Sequence, residues 1–243
     1  MLVTWATEKL GLTKKFSPVA PDEPLCVIGD IHGRYDLFRR ILDRLPADHK
    51  IICVGDYVDR GEDSARVLRF LIERPDILCL QGNHEKMLLR FLRNPAQNGR
   101  HWLDHGGLQT LASFGVPRLA AYMKTPDLVN ACDFLSDRMG ELMINWLSYL
   151  PTSFRSGNVL VAHAGADPRK PVDEQTDSVL QWGHPDFLRT ARKDGQWVVH
   201  GHTIVSDPKV HNGRISIDTG AYATGRLTAV QLDGKTHRFI SVP

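Results

Sequence analysis

The sequence lacks any apolar run that could span a bilayer, which would need about 20 such residues in succession. Its first sixteen residues, MLVTWATEKLGLTKKF, mix charged and apolar side chains too evenly to form the apolar stretch of a signal peptide. We therefore expect a soluble, cytoplasmic protein that has no membrane partner.

Cysteine is scarce, with four residues in a chain of 243 and no Cys-x-x-Cys pair. Cys26, Cys53 and Cys79 lie inside apolar runs, where a thiol behaves as a small hydrophobic side chain. The sequence therefore indicates neither a disulfide framework nor a structural zinc site.

Excess charge is also lacking. The formal net charge is +2, and the Lys and Arg residues are scattered among Asp and Glu rather than gathered in runs. Nucleic-acid-binding proteins present a basic patch or stripe, so we expect no nucleic-acid partner. An anionic substrate must therefore be bound by local groups.

Five short apolar runs have the length and composition of β-strands. They are LCVI at 25–28, IICV at 51–54, ILCL at 77–80, NVLVA at 158–162 and WVV at 197–199. Between the first three runs, apolar side chains recur at helical spacing, which predicts a β-α-β-α-β order with parallel strands. The sequence therefore predicts an α/β fold.

The rest of the chain adds three features to this pattern. The segment 84–150 has helical periodicity and is interpreted as a helical insertion, in which Trp102 fits a core position. Residues after 196 are typical of strands joined by turns. With residues 1–23 as an N-terminal extension, the length and apolar content predict a single domain over residues 1–243.

Each apolar run ends directly in a polar cluster. The clusters are GDIHG at 29–33, GDYVDRG at 55–61, GNHE at 82–85, HAG at 163–165 and HGHT at 200–203. Because ligands bind beyond the carboxyl ends of the strands in open α/β sheets, we expect the clusters to meet in space. Their Asp, Asn and His side chains, without thiolates, suit manganese, iron or zinc.

These residue types predict two-metal chemistry on a phosphoryl group. Asp30 and His32 are two residues apart and can bind one cation, while both oxygens of Asp56 can bridge to a second. Two cations about 3.5–4 Å apart would polarise the phosphoryl group and lower the pKa of a water between them. A hydroxide held there could attack phosphorus in line with the leaving group.

Three further residues of the clusters supply what metals do not. Arg60 has a planar guanidinium that can bind two phosphate oxygens at once. His84 can protonate the departing oxygen, and Asp59 can orient that imidazole. The three residues are therefore candidates for catalysis, and Arg60 also for substrate binding.

The five clusters resemble, in order and type, those of the phosphoprotein phosphatases, which are calcineurin-like serine/threonine metallophosphoesterases. The tail IDTGAYATGRLTAVQLDG is similar to that of bacterial and phage members, so the resemblance covers roughly residues 25–233. It implies a β-sandwich of two mixed sheets flanked by helices, and two divalent metal ions per chain, manganese first and iron or zinc as alternatives. The implied metal ligands are Asp30, His32, Asp56, Asn83, His163 and His202. It also implies a phosphate-binding role for Arg60 and a proton-donating role for His84 with Asp59.

The sequence departs from the family pattern at one position. Members usually carry a second phosphate-binding arginine in a Trp-x-Arg segment, and here His184 stands in its place, in QWGHPDFL. A histidine is neutral for much of the time at pH 7 and lacks the guanidinium fork. We therefore treat His184 and Arg34 as candidate substrate-binding residues, with Arg155 and Arg169 as further substitutes for the missing arginine.

Three functions remain open at this stage. The first is a metal-dependent phosphomonoester hydrolase, specifically a serine/threonine protein phosphatase that acts on a phosphoprotein or a small phosphoester. The second is a dinucleoside-polyphosphate hydrolase, a relative with the same metal site but usually another sequence where this chain has Val-Asp-Arg-Gly, so that Asp59 favours the first. The third is a non-catalytic phosphate-binding relative. The sequence does not indicate an oligomeric state.

Overall fold

A computed structural model describes residues 16–117, 120, 122–234 and 236–243. The strands in these ranges form two sheets. The strands are β1 (Leu25–Ile28), β2 (Lys50–Cys53), β3 (Ile77–Cys79), β4 (Ser153–Ser156), β5 (Val159–Ala162), β6 (Trp197–His200), β7 (Lys209–His211), β8 (Arg214–Ser216), β9 (Leu227–Leu232) and β10 (His237–Val242).

Both sheets are mixed. The first has the order β10-β9-β1-β2-β3, in which β1, β2 and β3 are parallel and β9 and β10 are antiparallel additions. The second has the order β4-β5-β6-β8-β7, in which β5, β6 and β8 are parallel and the two edge strands are antiparallel. The predicted parallel pairing of the first three apolar runs is therefore confirmed.

The helices flank these sheets. They are α1 (Tyr35–Leu42), α2 (Ser64–Ile72), α3 (Asn83–Arg93), α4 (Pro95–Trp102), α5 (Leu108–Ser113), α6 (Thr125–Ser148), α7 (Asp177–Trp182) and α8 (Ala221–Thr224), with a π-helical turn at Leu103–Gly107 and a 3-10 turn at Val172–Glu174. Within the described ranges, no helix combines the length and the apolar content needed to cross a bilayer.

Alternation along the strands builds the sandwich. In β5, Val159 and Val161 face the core between the two sheets, whereas Leu160 and Ala162 face outward toward α7. In β1, Val27 packs in the same central core, and Ile28 faces the helices. Both faces of each central strand are therefore buried, which explains why these strands read as unbroken apolar runs.

The predicted α/β sandwich of two mixed sheets with flanking helices is confirmed. The sequence did not predict β4, because Ser153–Ser156 has a single large apolar residue, Phe154, and therefore forms no apolar run. Most of the predicted N-terminal extension, up to Lys15, lies outside the described residues. The described part of it runs along the β4–β5 turn, where Asn158 binds the backbone of Pro18 and Ala20.

Candidate metal centre

The carboxyl ends of the parallel strands bring the polar clusters together. The loop after β1 is joined to the loop after β2, since His32 donates its backbone N–H to the carbonyl oxygen of Asp56 at 2.8 Å. The two sheets are joined by His202, which follows β6 and donates its backbone N–H to the Asp30 carboxylate at 3.1 and 3.2 Å. The expected meeting of the clusters is thus seen in the geometry.

The backbone of these loops is strained. Among the described residues other than glycine, six have a positive φ, and five of them belong to the clusters. These five are His32 (44°), Asp56 (56°), Asp59 (71°), Arg60 (67°) and His202 (61°). Left-handed backbone at such residues costs about 1–3 kcal/mol each and persists only where the surrounding structure enforces it, which is typical of functional sites.

The carboxylate of Asp56 lies at the centre of the site. Its Oδ2 is 3.5 Å from Nε2 of His32, 3.4 Å from Nε2 of His163 and 3.9 Å from Nε2 of His84. The ring of His32 is fixed in this direction because its Nδ1 donates to the carbonyl oxygen of Val58 at 2.8 Å. Its Nε2 is left unprotonated and able to bind a metal.

A second group of donors converges on Asn83. Its Oδ1 is 2.8 Å from Nε2 of His163 and 2.9 Å from Nδ1 of His202, and the two ring nitrogens are 3.2 Å apart. Metal–ligand bonds of about 2.1 Å place neighbouring ligand atoms about 3.0–3.4 Å apart. The three donors are therefore close to the spacing that a single cation requires.

Not every predicted ligand joins these groups. In the described chain, the ligand atoms that lie within 4.8 Å of one another are those of His32, Asp56 and His84, and those of Asp56, His163 and His202. Asp30 is buried beside them, where its carboxylate accepts the N–H of His202. The candidate proton donor His84 therefore belongs to the first group, whereas the predicted ligand Asp30 does not.

The electrostatics of the site are compatible with bound cations. Burial, together with the nearby carboxylates of Asp218 and Asp56, raises the pKa of Asp30 well above its usual value. Burial and the neighbouring Glu85 carboxylate raise the pKa of Asp56 well above its usual value. Burial lowers the pKa of His163 well below its usual value. Divalent cations would favour ionised carboxylates and neutral imidazoles together, so these residues fit the predicted metals.

Glu85 holds the site in shape, a role that the sequence analysis missed. Its carboxylate accepts backbone N–H groups of Asp56 at 2.8 Å, Tyr57 at 2.7 Å and Gly82 at 2.9 Å. It is the third residue of α3 and reaches back to Gly82, which precedes the helix. A glutamate at this helix position is a known capping signal, and GNHE carries it.

The candidate acid–base pair is well formed. Nδ1 of His84 lies 2.6 Å from the Asp59 carboxylate, which also accepts the indole N–H of Trp102 at 3.0 Å and the hydroxyl of Thr110 at 2.7 Å. Burial raises the pKa of Asp59 to about 7, while these two donors lower it. Trp102 is fully buried, as expected for a core residue, but its N–H also positions Asp59.

Arg60 lies at the edge of the same cluster. Its Nη1 is 3.2 Å from Nε2 of His32, and its backbone N–H donates to the carbonyl oxygen of Gly106 at 3.2 Å. Gly106 belongs to the π-helical turn and has a φ of 103°. A Cβ there would lie 2.7 Å from the backbone nitrogen of Arg60, so the helices after β3 close tightly over this residue.

The other predicted substrate residues make different contacts. Arg34 donates to Asp36 at 2.9 and 2.8 Å and to the carbonyl oxygen of Ala221 at 2.9 Å. His184 is half-buried, with its Nε2 3.7 Å from the carboxylate of Asp167. Their roles in substrate binding remain predictions.

A two-sheet α/β sandwich whose strand ends bring buried carboxylates and imidazoles together defines a metal-dependent hydrolase. The sequence model of the calcineurin-like phosphoesterases matches residues 23–206. The chain therefore belongs to the calcineurin-like phosphoesterase family and is a metallophosphoesterase, as its motifs predict.

Individual proteins and solved structures are also similar to this chain over most of its length. The chain is 29% identical over 231 residues to a bis(5'-nucleosyl)-tetraphosphatase PrpE [asymmetrical] of Geobacillus sp. (strain WCH70), covering 84% of this chain and 88% of that protein. A crystal structure described as that of a candidate diadenosine tetraphosphatase matches with a TM-score of 0.62 at 21% identity, covering 90% of this chain and 94% of the other. A serine/threonine phosphatase from Saccharomyces cerevisiae matches with a TM-score of 0.59 at 16% identity, over 91% and 80% of the two chains. At such identities the two solved structures show a shared fold alone.

Gly201 offers a test of the Asp30 position. A Cβ on Gly201 would lie 1.9 Å from Oδ1 of Asp30, so Gly201→Ala must displace that carboxylate. We expect metal affinity to fall about 10- to 100-fold, as found when metal sites lose their supporting contacts. Calorimetric titration with Mn²⁺ measures the change. The control is Gly195→Ala, where φ is 75° and nothing lies within 4 Å. Equal affinity in the two variants would contradict the role of Asp30.

Trp102→Phe tests the positioning of Asp59. The substitution keeps an aromatic ring in the core but removes the indole N–H that binds the carboxylate. We expect kcat to fall about tenfold, the loss of one hydrogen bond to a charged group, with the metal content unchanged. The control is Trp197→Phe, which loses an equivalent indole bond, to the carbonyl oxygen of Ser17, at a distance from the site. A kcat unchanged by Trp102→Phe would overturn the positioning role.

Proposed function

We propose that the chain is a metal-dependent hydrolase of dinucleoside polyphosphates. The hydrolytic part rests on one observation, the convergence of three imidazole nitrogens on the Asp56 carboxylate. The substrate class rests on similarity to the PrpE tetraphosphatase over 84% of this chain. The substrate is therefore taken to be a small dinucleotide, cleaved at a phosphoanhydride bond, rather than a phosphoprotein.

We infer the ligand set from the motifs and the geometry together. Asp30, His32 and Asp56 would hold one ion. The second ion would be held by Asp56, Asn83, His163 and His202. Imidazole and oxygen donors without thiolate suit manganese, with iron or zinc as alternatives.

The chain's own residues supply the other requirements of hydrolysis. When bound, the ions provide positive charge at the reacting phosphorus and activate water. Arg60 binds a phosphoryl oxygen at the edge of the cluster, and His84 gives a proton to the leaving oxygen. Asp59 keeps that imidazole in place through the contact of 2.6 Å at its Nδ1, so that Nε2 faces the cluster.

The feature that favours a serine/threonine phosphatase is Asp59 within the Val-Asp-Arg-Gly segment. The similarity to PrpE tetraphosphatases favours the dinucleoside alternative instead. A non-catalytic relative would have no need for the buried set of donors around Asp56. We therefore rank dinucleoside-polyphosphate hydrolysis first and phosphoprotein hydrolysis second.

Product analysis tests the substrate class. The purified chain with Mn²⁺ is expected to convert diadenosine tetraphosphate to AMP and ATP, the products of asymmetric cleavage. Its kcat/KM for this substrate should be at least about tenfold above that for a phosphoserine peptide. A tenfold ratio corresponds to about 1.4 kcal/mol of difference in transition-state binding. Asp56→Asn is the matched negative control, since it removes the shared carboxylate. Faster release of phosphate from the peptide would establish the second-ranked function. Hydrolysis of neither substrate would refute both.

His84→Asn tests the proton donor. The variant should keep its metal, because His84 is outside the proposed ligand set, and should slow alkyl phosphate hydrolysis about 10²- to 10⁴-fold. Aryl phosphates should be slowed less, because a better leaving group needs less help from an acid. Steady-state rates on glycerol phosphate and p-nitrophenyl phosphate measure this, with His211→Asn, an exposed residue of β7, as the control. Equal slowing of both substrates would exclude the role.

A further inference from the structure

Tyr222 lies on a short helix beyond the residues that match the family model. This helix, α8, spans Ala221–Thr224, and the family match ends at residue 206. Gly220 and Gly225 flank it with φ of 70° and 71°. The carboxylate of Asp218 binds the N–H of Gly220 at 2.8 Å, which fixes the entry to the helix. The position of Tyr222 is therefore set by a tight, well-anchored turn.

The ring of Tyr222 contacts two residues of the metal centre. The guanidinium carbon of Arg60 lies over the ring, 4.6 Å from its centroid. The ring of His32 meets it edge to face, with centroids 5.3 Å apart and planes at 82°. A guanidinium within about 6 Å of a ring centroid is attracted to the π face, most strongly where water is excluded.

Arg34 attaches α8 to the start of α1. Its Nη1 donates to the carbonyl oxygen of Ala221 at 2.9 Å, and Nε and Nη2 are held by Asp36 at 2.9 and 2.8 Å. Because Ala221 immediately precedes Tyr222, this arginine fixes the helix that carries the ring. The contacts give Arg34 a structural task next to the site.

Among the described residues, few contacts other than the Tyr222 ring can orient the Arg60 guanidinium. No carboxylate lies within ion-pair distance of its guanidinium in the described ranges, where its polar side-chain contact is Nε2 of His32, at 3.2 Å. That nitrogen is also one that the proposed metal site needs. If His32 binds a cation, the ring of Tyr222 is the other described contact that can orient the guanidinium.

We propose that Tyr222 is a positioning residue that holds the Arg60 guanidinium in the orientation needed to bind substrate phosphate, and that Arg34 keeps the Tyr222 turn in place. This inference rests on the proposed function only in assigning phosphate binding to Arg60. It holds for any phosphoester that the chain hydrolyses.

Substitution of Tyr222 tests the proposal. Tyr222→Leu should raise KM about 3- to 30-fold, the range of a partly desolvated cation–π contact. It should weaken the affinity of the Mn²⁺-loaded protein for inorganic phosphate, measured by calorimetry, by the same factor. Tyr222→Phe keeps the ring and should stay within about twofold of the parent protein. The metal content should not change. Tyr149→Leu, at a tyrosine that is 85% exposed, is the control for loss of a phenol ring.

A double-mutant cycle separates positioning from a general structural effect. If Tyr222 acts through Arg60, Tyr222→Leu should have no further effect on phosphate affinity in an Arg60→Ala background. Arg34→Gln gives a second route, since it should weaken phosphate binding alone but not in the Tyr222→Leu background. Additive effects in both cycles, or a Phe variant as weak as Leu, would overturn the proposal.

Phosphate calorimetry also distinguishes failure of the Tyr222 proposal from failure of the proposed substrate assignment. If diadenosine tetraphosphate is not cleaved, the substrate assignment fails, and phosphate calorimetry still decides the role of Tyr222. If the nucleotide is cleaved but Tyr222→Leu binds phosphate as the parent does, the positioning role fails and the substrate assignment stands.

Discussion

The Glu85 carboxylate holds together the two chain segments that supply Asp56 and Asn83, two of the six candidate ligands, and the candidate proton donor His84. It accepts backbone N–H groups from the loop after β2, at Asp56 and Tyr57, and from Gly82 ahead of α3. The group is fully buried, so those N–H groups have no water as an alternative partner. The relative placement of Asp56, Asn83 and His84 therefore depends on one fully buried side chain.

The sandwich adds the remaining donors by joining its two sheets at a common edge. His163 follows β5 and His202 follows β6, both in the second sheet, whereas Asp30 and Asp56 follow strands of the first. The bond from His202 to Asp30 crosses between them. Strain at Asp56 and His202, both with positive φ, is tolerated because buried strands on each side leave the loops little freedom. The two sheets thus hold imidazole and carboxylate groups from separate loops next to one another.

The sequence predicted the strand-end clusters well and their supporting contacts poorly. Parallel strands β1, β2 and β3 followed from apolar runs and intervening helical periodicity, because both faces of a central strand are buried. The two-sheet sandwich came only from the family resemblance. Trp102 was correctly expected in the core, yet no periodicity indicates that its indole N–H binds Asp59, 43 residues away. Tyr222 lies 162 positions from Arg60, so the residues between them carry no local sign of their contact.

The phosphate recognition proposed for this chain would depend on very few cationic side chains. The three arginines predicted as substitutes for the one missing from the Trp-x-Arg segment form ion pairs elsewhere: Arg34 with Asp36, Arg155 with Asp173 and Arg169 with Asp186. Of these three arginines and Arg60, Arg60 is the one whose guanidinium reaches the Asp56 cluster, through its contact with His32. A site with one such group loses most of its phosphate affinity when that group is misaligned, because a bidentate contact tolerates little rotation. The aromatic contact from α8 therefore matters more here than it would in a site with two arginines.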